Sequence, residues 1–290
     1  MTENSAKDTF FSKNHSLNCG GKLLNLSTPK VMGILNLTSD SFYDGGKYEN
    51  PENALNRVHQ MISEGVDIID IGAASSRPGA GLSSPQDEIN KLSPVLEQIR
   101  FAFPDLILSL DTYHAQVAKE MVEKYSVDII NDISAGDIDP DMYTTIVKLG
   151  VPYIIMHMNG IPGNMQENPE YENITDEIVQ YFSEKIHKLH KKGIADVLID
   201  PGFGFGKSRD HNYELLSNTD AFQLFELPVV AGVSRKSMIS NLLDATSEES
   251  LNGTTAVHMI LLQKGVQILR VHDVKEARQA VTIYLESLRK

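Results

Sequence analysis

The sequence predicts a single-domain α/β protein, a (β/α)8 or TIM barrel, on three observations. Eight short apolar runs recur along the chain, at 31–35, 66–71, 106–110, 127–130, 151–156, 194–199, 228–233 and 266–271. Most are continuous rather than alternating, as in parallel strands covered on both faces. Helical stretches separate the runs, and Gly65, Gly150, Gly193 and Gly265 stand where helix gives way to strand, the place for a left-handed cap. Eight strands with intervening helices fit a closed barrel. A doubly wound open sheet is the structural alternative.

In chain order, residues 1–28 read as an N-terminal tail with a short hairpin that turns at Gly20-Gly21. Residues 29–290 read as the barrel. Asn50-Pro51 and Ser84-Pro85 each place a capping side chain before a proline, so helices start there. The clearest helix is 171–192, where Ile174, Ile178, Phe182, Ile186 and Leu189 form one apolar stripe. No linker, repeat or low-complexity segment divides the chain.

Composition narrows the function. A net charge of −13 argues against nucleic acid or an anionic membrane as the main partner. Cys19 is the single cysteine, which excludes disulfides within the chain and cysteine-rich metal sites. Residues 1–18 lack the apolar core of a signal peptide, and no run is long enough to span a bilayer. A reducing cytoplasm is the expected compartment.

In a barrel, the C-terminal strand ends converge on one face, where the chemistry sits. Those positions carry Asn36, Ser75-Ser76-Arg77, Asp111, Asn131-Asp132, His157, Asp200, Ser234-Arg235-Lys236 and Arg270-Val271-His272. Taken singly, several have bland readings. Asp111-Thr112 can cap a helix, Asp132 can serve a turn, and His157 reads first as a packed, hydrogen-bonded histidine. Together, Asp111, Asn131 and Asp200 would share a mouth with the cations Arg77, Lys236 and Arg270. The cations suit an anionic substrate group, and alternation puts Arg270 and His272 on one side. Asn36 can offer a carbonyl oxygen to Mg2+, a frequent companion of phosphates. Two polar loops, 36–46 and 75–81, can close over a substrate. Gly202-Phe203-Gly204-Phe205-Gly206 lacks dinucleotide-binding spacing, and no HExxH or Walker A motif occurs.

These segments resemble the dihydropteroate synthases, pterin-binding barrel enzymes of the folate pathway that sulfonamides target. The likeness runs from about Leu17 to the C-terminus. It rests on residues 31–38 with Asp40-Ser41-Phe42, Arg77-Pro78-Gly79-Ala80, residues 200–207, Ser234-Arg235-Lys236-Ser237 and Arg270-Val271-His272-Asp273. The resemblance implies a pterin pocket of Asp111, Asn131, Met158, Asp200, Lys236 and Arg270. It implies a diphosphate site of Asn36, Arg77, Arg270 and His272, with Mg2+ on Asn36. Phe42, Ser76, Pro78, Phe205 and Ser234 would border p-aminobenzoate. Asp111, Arg77, Lys236, Arg270 and His272 would carry the catalysis.

The implied reaction transfers the methylene group of a 7,8-dihydropterin diphosphate to the amine of p-aminobenzoate, through a dissociative path. Sulfonamides would act as inhibitors and the enzyme as a homodimer. The helices at 249–264 and 274–290 are the interface candidates by resemblance. Ser39 stands where the family usually has proline, Tyr43 where a small residue is common, and Ala74 where a carboxylate is frequent. Two other readings are a pterin-binding methyltransferase domain, which has no use for a diphosphate clamp, and a catalytically silent pterin-binding paralogue.

Overall fold

The computed structural model describes residues 16–37, 50–74, 83–160 and 169–289. Of the residues singled out above, Phe42, Ser76, Arg77 and Pro78 lie outside the described residues, as do Ser39, Tyr43, the rest of the first polar loop after Leu37 and all of the second.

A hairpin of β1 (Ser16–Cys19) and β2 (Lys22–Asn25) precedes the barrel. Gly20 and Gly21 both take positive φ at its turn, the twist that matches paired strands. The barrel strands are β3 (Lys30–Asn36), β4 (Ile68–Gly72), β5 (Ile107–Asp111), β6 (Ile129–Asp132), β7 (Tyr153–Met156), β8 (Val197–Asp200), β9 (Val230–Ala231) and β10 (Ile268–Val271). They run parallel in the order β8-β7-β6-β5-β4-β3-β10-β9. The two outer strands meet through a parallel bridge between Ile199 and Val229, and Ile199 N–H donates to the Pro228 carbonyl at 3.0 Å. That junction closes the barrel and disposes of the open-sheet alternative.

Several apolar runs begin before the strands they announce, for identifiable reasons. Pro152 and Pro228 have no N–H to give to a ladder, so β7 starts at Tyr153 and β9 shrinks to two residues before Gly232. The helices α1 (Pro51–Ser63) and α2 (Pro85–Ala102) begin at their prolines, with Asn50 and Ser84 accepting from backbone N–H groups. The remaining helices are α3 (Ala115–Tyr125), α4 (Met142–Leu149), α5 (Ile174–Lys191), α6 (Arg209–Ser217), α7 (Ser237–Ser240), α8 (Leu251–Gln263) and α9 (Val274–Ser287). The stripe expected over 171–192 lies on α5, which Asn173 caps.

The strand period of two sorts the side chains into an outer and an inner set. Val31, Leu35, Ile69, Ile71, Leu108 and Leu110 face outward and pack on helical residues such as Met61, Leu92 and Leu96. Inside, Met32, Ile68, Ile129, Ile154, Leu198, Val230 and Ile268 form an apolar floor. Leu17, Cys19, Leu24 and Leu26 of the hairpin segment plug that floor from below. Two residues further along, the inner position is polar on β4, β5, β6, β8 and β10, with Asp70, Ser109, Asn131, Asp200 and Arg270, while β3 and β7 carry Ile34 and Met156 there. The fold therefore separates a greasy bottom from a charged top within one barrel.

Candidate active site

Arg270 lies at the centre of the charged layer. Its Nε donates to Asp70 Oδ2 at 2.6 Å and its Nη2 to Asp111 Oδ2 at 2.7 Å. Asn131 Nδ2 donates to the same Asp70 oxygen at 3.0 Å. Burial works against the guanidinium charge, but Asp70 and Asp111 hold its pKa above the ordinary value. Asp70 is fully buried, and its other oxygen has no hydrogen-bond partner among the described residues. Burial pushes the Asp111 carboxyl up to about 7; Arg270 opposes the shift, and Asp70 and Glu88 add to it.

Asp70 escapes a reading based on strand ends because it sits inside an apolar run. The signal is nonetheless present. A lone acid at an inward position of Ile68-Ile69-Asp70-Ile71 must find a buried partner.

Two strands round the barrel from Arg270, Asp200 ends β8 and accepts from Gly202 N–H at 2.8 Å. Burial raises the Asp200 pKa, against the pull of Lys236 and the Gly202 N–H. Lys236 Nζ donates to the Phe203 carbonyl at 2.5 Å and stands 4.6 Å above the Phe205 ring. Burial brings the Lys236 ammonium down to about 8, with Asp200 opposing. Met156, Ile133 and Tyr113, with the part-buried Met158 and Phe205, form an apolar wall beside these charges. A flat, polar-edged ring fits such a slot, with charges for its edge and apolar atoms for its face.

His272 donates its backbone N–H to Ser234 Oγ at 3.3 Å, and its Nδ1 lies 3.3 Å from the same oxygen. Burial and then Arg270 hold the imidazole pKa down at about 3, so it is neutral near pH 7. Asn36 ends β3 at the same rim. The structure thus gathers Asn36, Asp111, Asn131, Met158, Asp200, Phe205, Ser234, Lys236, Arg270 and His272 around one opening.

Other strand-end residues serve the scaffold. Asp132 accepts from Ser134, Gly136 and the Tyr153 hydroxyl. Arg235 forks onto Asp273 and donates to the carbonyls of Ser247 and Glu248. His157 is buried beside Lys207 at 3.0 Å. Asp111 is not a helix cap; its neighbour Thr112 instead donates to the buried Glu88 at 2.8 Å.

A family described as "Pterin binding enzyme" matches residues 32–272. The chain is 42% identical over 270 residues to the dihydropteroate synthase of Haemophilus influenzae, covering 92% of this chain and 97% of that one. The Yersinia pestis dihydropteroate synthase with a sulfonamide drug superposes with a TM-score of 0.90 at 41% identity, covering 94% of this chain and 98% of that one. The Xanthomonas albilineans dihydropteroate synthase in complex with 7,8-dihydropteroate does so with a TM-score of 0.82 at 31% identity, covering 95% and 99%.

Proposed function

This chain belongs to the pterin-binding enzyme family, and from that membership we infer that it is a dihydropteroate synthase, a transferase of folate synthesis that sulfonamides inhibit. The observation that carries the site assignment is Arg270 suspended between Asp70 and Asp111, with Lys236 and Asp200 close enough for their charges to act on one another. A pterin laid between them would meet an acceptor, a donor and a stacked cation at once.

Asp200 accepts from the pterin amino group and ring N–H, because a carboxylate offers two acceptors in one plane. Lys236 donates to the pterin carbonyl and ring nitrogen. Asn131 and Asp111 complete the rim, Met158 lines the face, and Arg270 covers the other face while reaching the diphosphate. His272, Asn36 and Arg77 complete the diphosphate site. Phe205 and Ser234, with Phe42, Ser76 and Pro78, border p-aminobenzoate.

In the reaction the bond from the pterin methylene carbon to the diphosphate oxygen breaks, and the diphosphate leaves with the electron pair. The amine lone pair of p-aminobenzoate then bonds to that carbon, and the amine proton is lost to solvent. Asp111 as the anion stabilises the positive charge that develops on the pterin. Arg270 and the neutral His272 donate to the departing oxygens. Asn36 is the residue that would hold Mg2+. One amide oxygen suits an ion that keeps most of its waters and takes phosphate oxygens. When bound, it supplies charge to the leaving group.

The homodimer reading is supported by exposed apolar side chains near α8 and α9, among them Leu242, Leu243, Ile260, Ile283 and Leu288. The cytoplasmic reading is supported by Cys19, a free, buried thiol.

Purified protein with 7,8-dihydropterin diphosphate, p-aminobenzoate and Mg2+ should form dihydropteroate, followed by chromatography. Absence of product would refute the assignment. Asp200→Asn should weaken pterin binding by roughly 1–3 kcal/mol, since the amide puts a donor where an acceptor is needed. Unchanged affinity by calorimetry would remove Asp200 from the pterin edge.

A further inference from the structure

One buried cation takes no part in the chemistry above. Lys207 is almost completely buried, and no carboxylate lies within ion-pair distance of its ammonium among the described residues. Its Nζ donates to the carbonyls of Gly202 at 2.8 Å, Phe205 at 3.0 Å and His157 at 3.3 Å, and lies 3.0 Å from His157 Nδ1. Burial carries its pKa well below the ordinary lysine value, against the pull of Asp200. Keeping such a group inside is costly, so its contacts call for a reason.

The contacts supply one. Gly202 and Phe205 bracket Phe203, whose carbonyl accepts from Lys236. Phe205 carries the ring beneath the same ammonium. A loop reading Gly-Phe-Gly-Phe-Gly has little stiffness of its own, because glycine gives up the most conformational freedom on ordering. Lys207 gathers two of its carbonyls and fastens them to the end of β7. The loop lies directly against that strand end: a Cβ on Gly202 would come within 1.9 Å of the His157 carbonyl oxygen. Other ties hold the far side: Gly204 N–H donates to Asn212 Oδ1 at 2.7 Å, and the Tyr171 hydroxyl donates to the Gly206 carbonyl at 2.8 Å.

We propose that Lys207, with His157, is a positioning residue: it fixes the loop after β8 so that the Phe203 carbonyl and the Phe205 ring hold Lys236 where the substrates meet. This rests on the synthase reading of the mouth.

The test is a double-mutant cycle on the full chain with Lys207→Met and Phe205→Leu. Methionine matches the stem of lysine and removes only the donors. Lys207→Met should raise KM for p-aminobenzoate on the order of tenfold or more, because small misplacements at a site are expensive. With Phe205 already leucine, the same change should cost under about twofold. A merely structural lysine would lower the melting temperature and give additive KM effects, and that result overturns the proposal. Hydrogen exchange of the 201–207 peptide, read without substrates, should quicken in Lys207→Met while β5 and β6 stay protected; an unchanged loop also overturns it. If wild-type protein makes no dihydropteroate but the loop still loosens, the synthase reading fails, and what stands is that Lys207 fixes the loop that holds Lys236. If Lys207→Met does not fold, His157→Leu removes one contact and should show the same pattern in weaker form; additive KM effects there overturn the claim equally.

Discussion

Arg270 carries a charge the barrel interior accepts only because Asp70 and Asp111 face it. Removing the guanidinium leaves Asp70, which is wholly buried, with the Asn131 amide as its one remaining partner among the described residues. Arg270→Met should therefore lower stability by about 3–5 kcal/mol, the usual cost of an orphaned buried charge. Adding Asp70→Asn should recover much of it, as urea unfolding would show; no recovery would mean that Asp70 is not the partner that matters. The same layer sets the pH response. Asp111 is protonated and neutral below about 7, and its assigned work needs the anion. Lys236 loses its positive charge, and with it the charge-assisted hydrogen bonds it makes, above about 8. The pH profile of kcat/KM for the pterin substrate should be a narrow bell, falling about tenfold per unit on each side. Asp111→Asn should flatten the acid limb and Lys236→Gln the alkaline one. An acid limb that survives in Asp111→Asn would assign that titration elsewhere. At this scale the strand-end residues are legible in the sequence, because a polar residue closing an apolar run is conspicuous. Asp70 shows there only as a lone acid inside an apolar run, and Lys207 not at all, because their partners are distant in the chain: Asp70 meets a residue 200 positions away, and Lys207 meets His157 50 positions away.

At the scale of elements, the apolar runs locate the eight strands but not their starts. Which end of a run frays depends on local hydrogen-bonding capacity, and Pro152 and Pro228 mark where it fails. The glycine loop after β8 shows the complementary limit. Its flexibility can be read from composition, whereas its immobility depends on Lys207, Asn212 and Tyr171 reaching it in space. Two glycines separate backbone strain from crowding. Gly193 has φ +88 and nothing within 4 Å of the point an added Cβ would occupy, whereas Gly202 has φ +71 with the His157 carbonyl in the way. Gly193→Ala should cost about 1–2 kcal/mol, the penalty of a left-handed alanine. Gly202→Ala should exceed that by at least about 2 kcal/mol, because backbone must move, and it should also weaken pterin binding through Asp200. Equal unfolding free energies for the two variants would show that the loop yields freely and would count against a rigid site.

For the whole molecule, the decisive arrangement is vertical. The chain has a net charge of −13, yet the cations Lys236 and Arg270 stand at the top of the barrel with the neutral His272 beside them as a donor, so what an anionic substrate meets is set by local groups rather than by the global charge. At the bottom, the inner layer is apolar. Its apolar floor is sealed by Leu17, Cys19, Leu24 and Leu26, residues that precede the barrel in the chain and read as a tail and hairpin in the sequence. Barrels commonly keep stability at the N-terminal ends of their strands and reaction at the C-terminal ends, and the polar layer above the floor marks the boundary here. Leu24→Ala tests that division. It empties a buried position and should cost about 2–5 kcal/mol, visible as a lower melting temperature. At about 15 °C, well below that transition, kcat/KM should stay within about twofold, since the Asp70, Asn131 and Arg270 contacts sit above the cavity and do not lean on it. If kcat/KM instead falls in step with the lost stability while the protein remains fully folded, floor and mouth are mechanically coupled, and the hairpin belongs to the catalytic apparatus rather than beneath it.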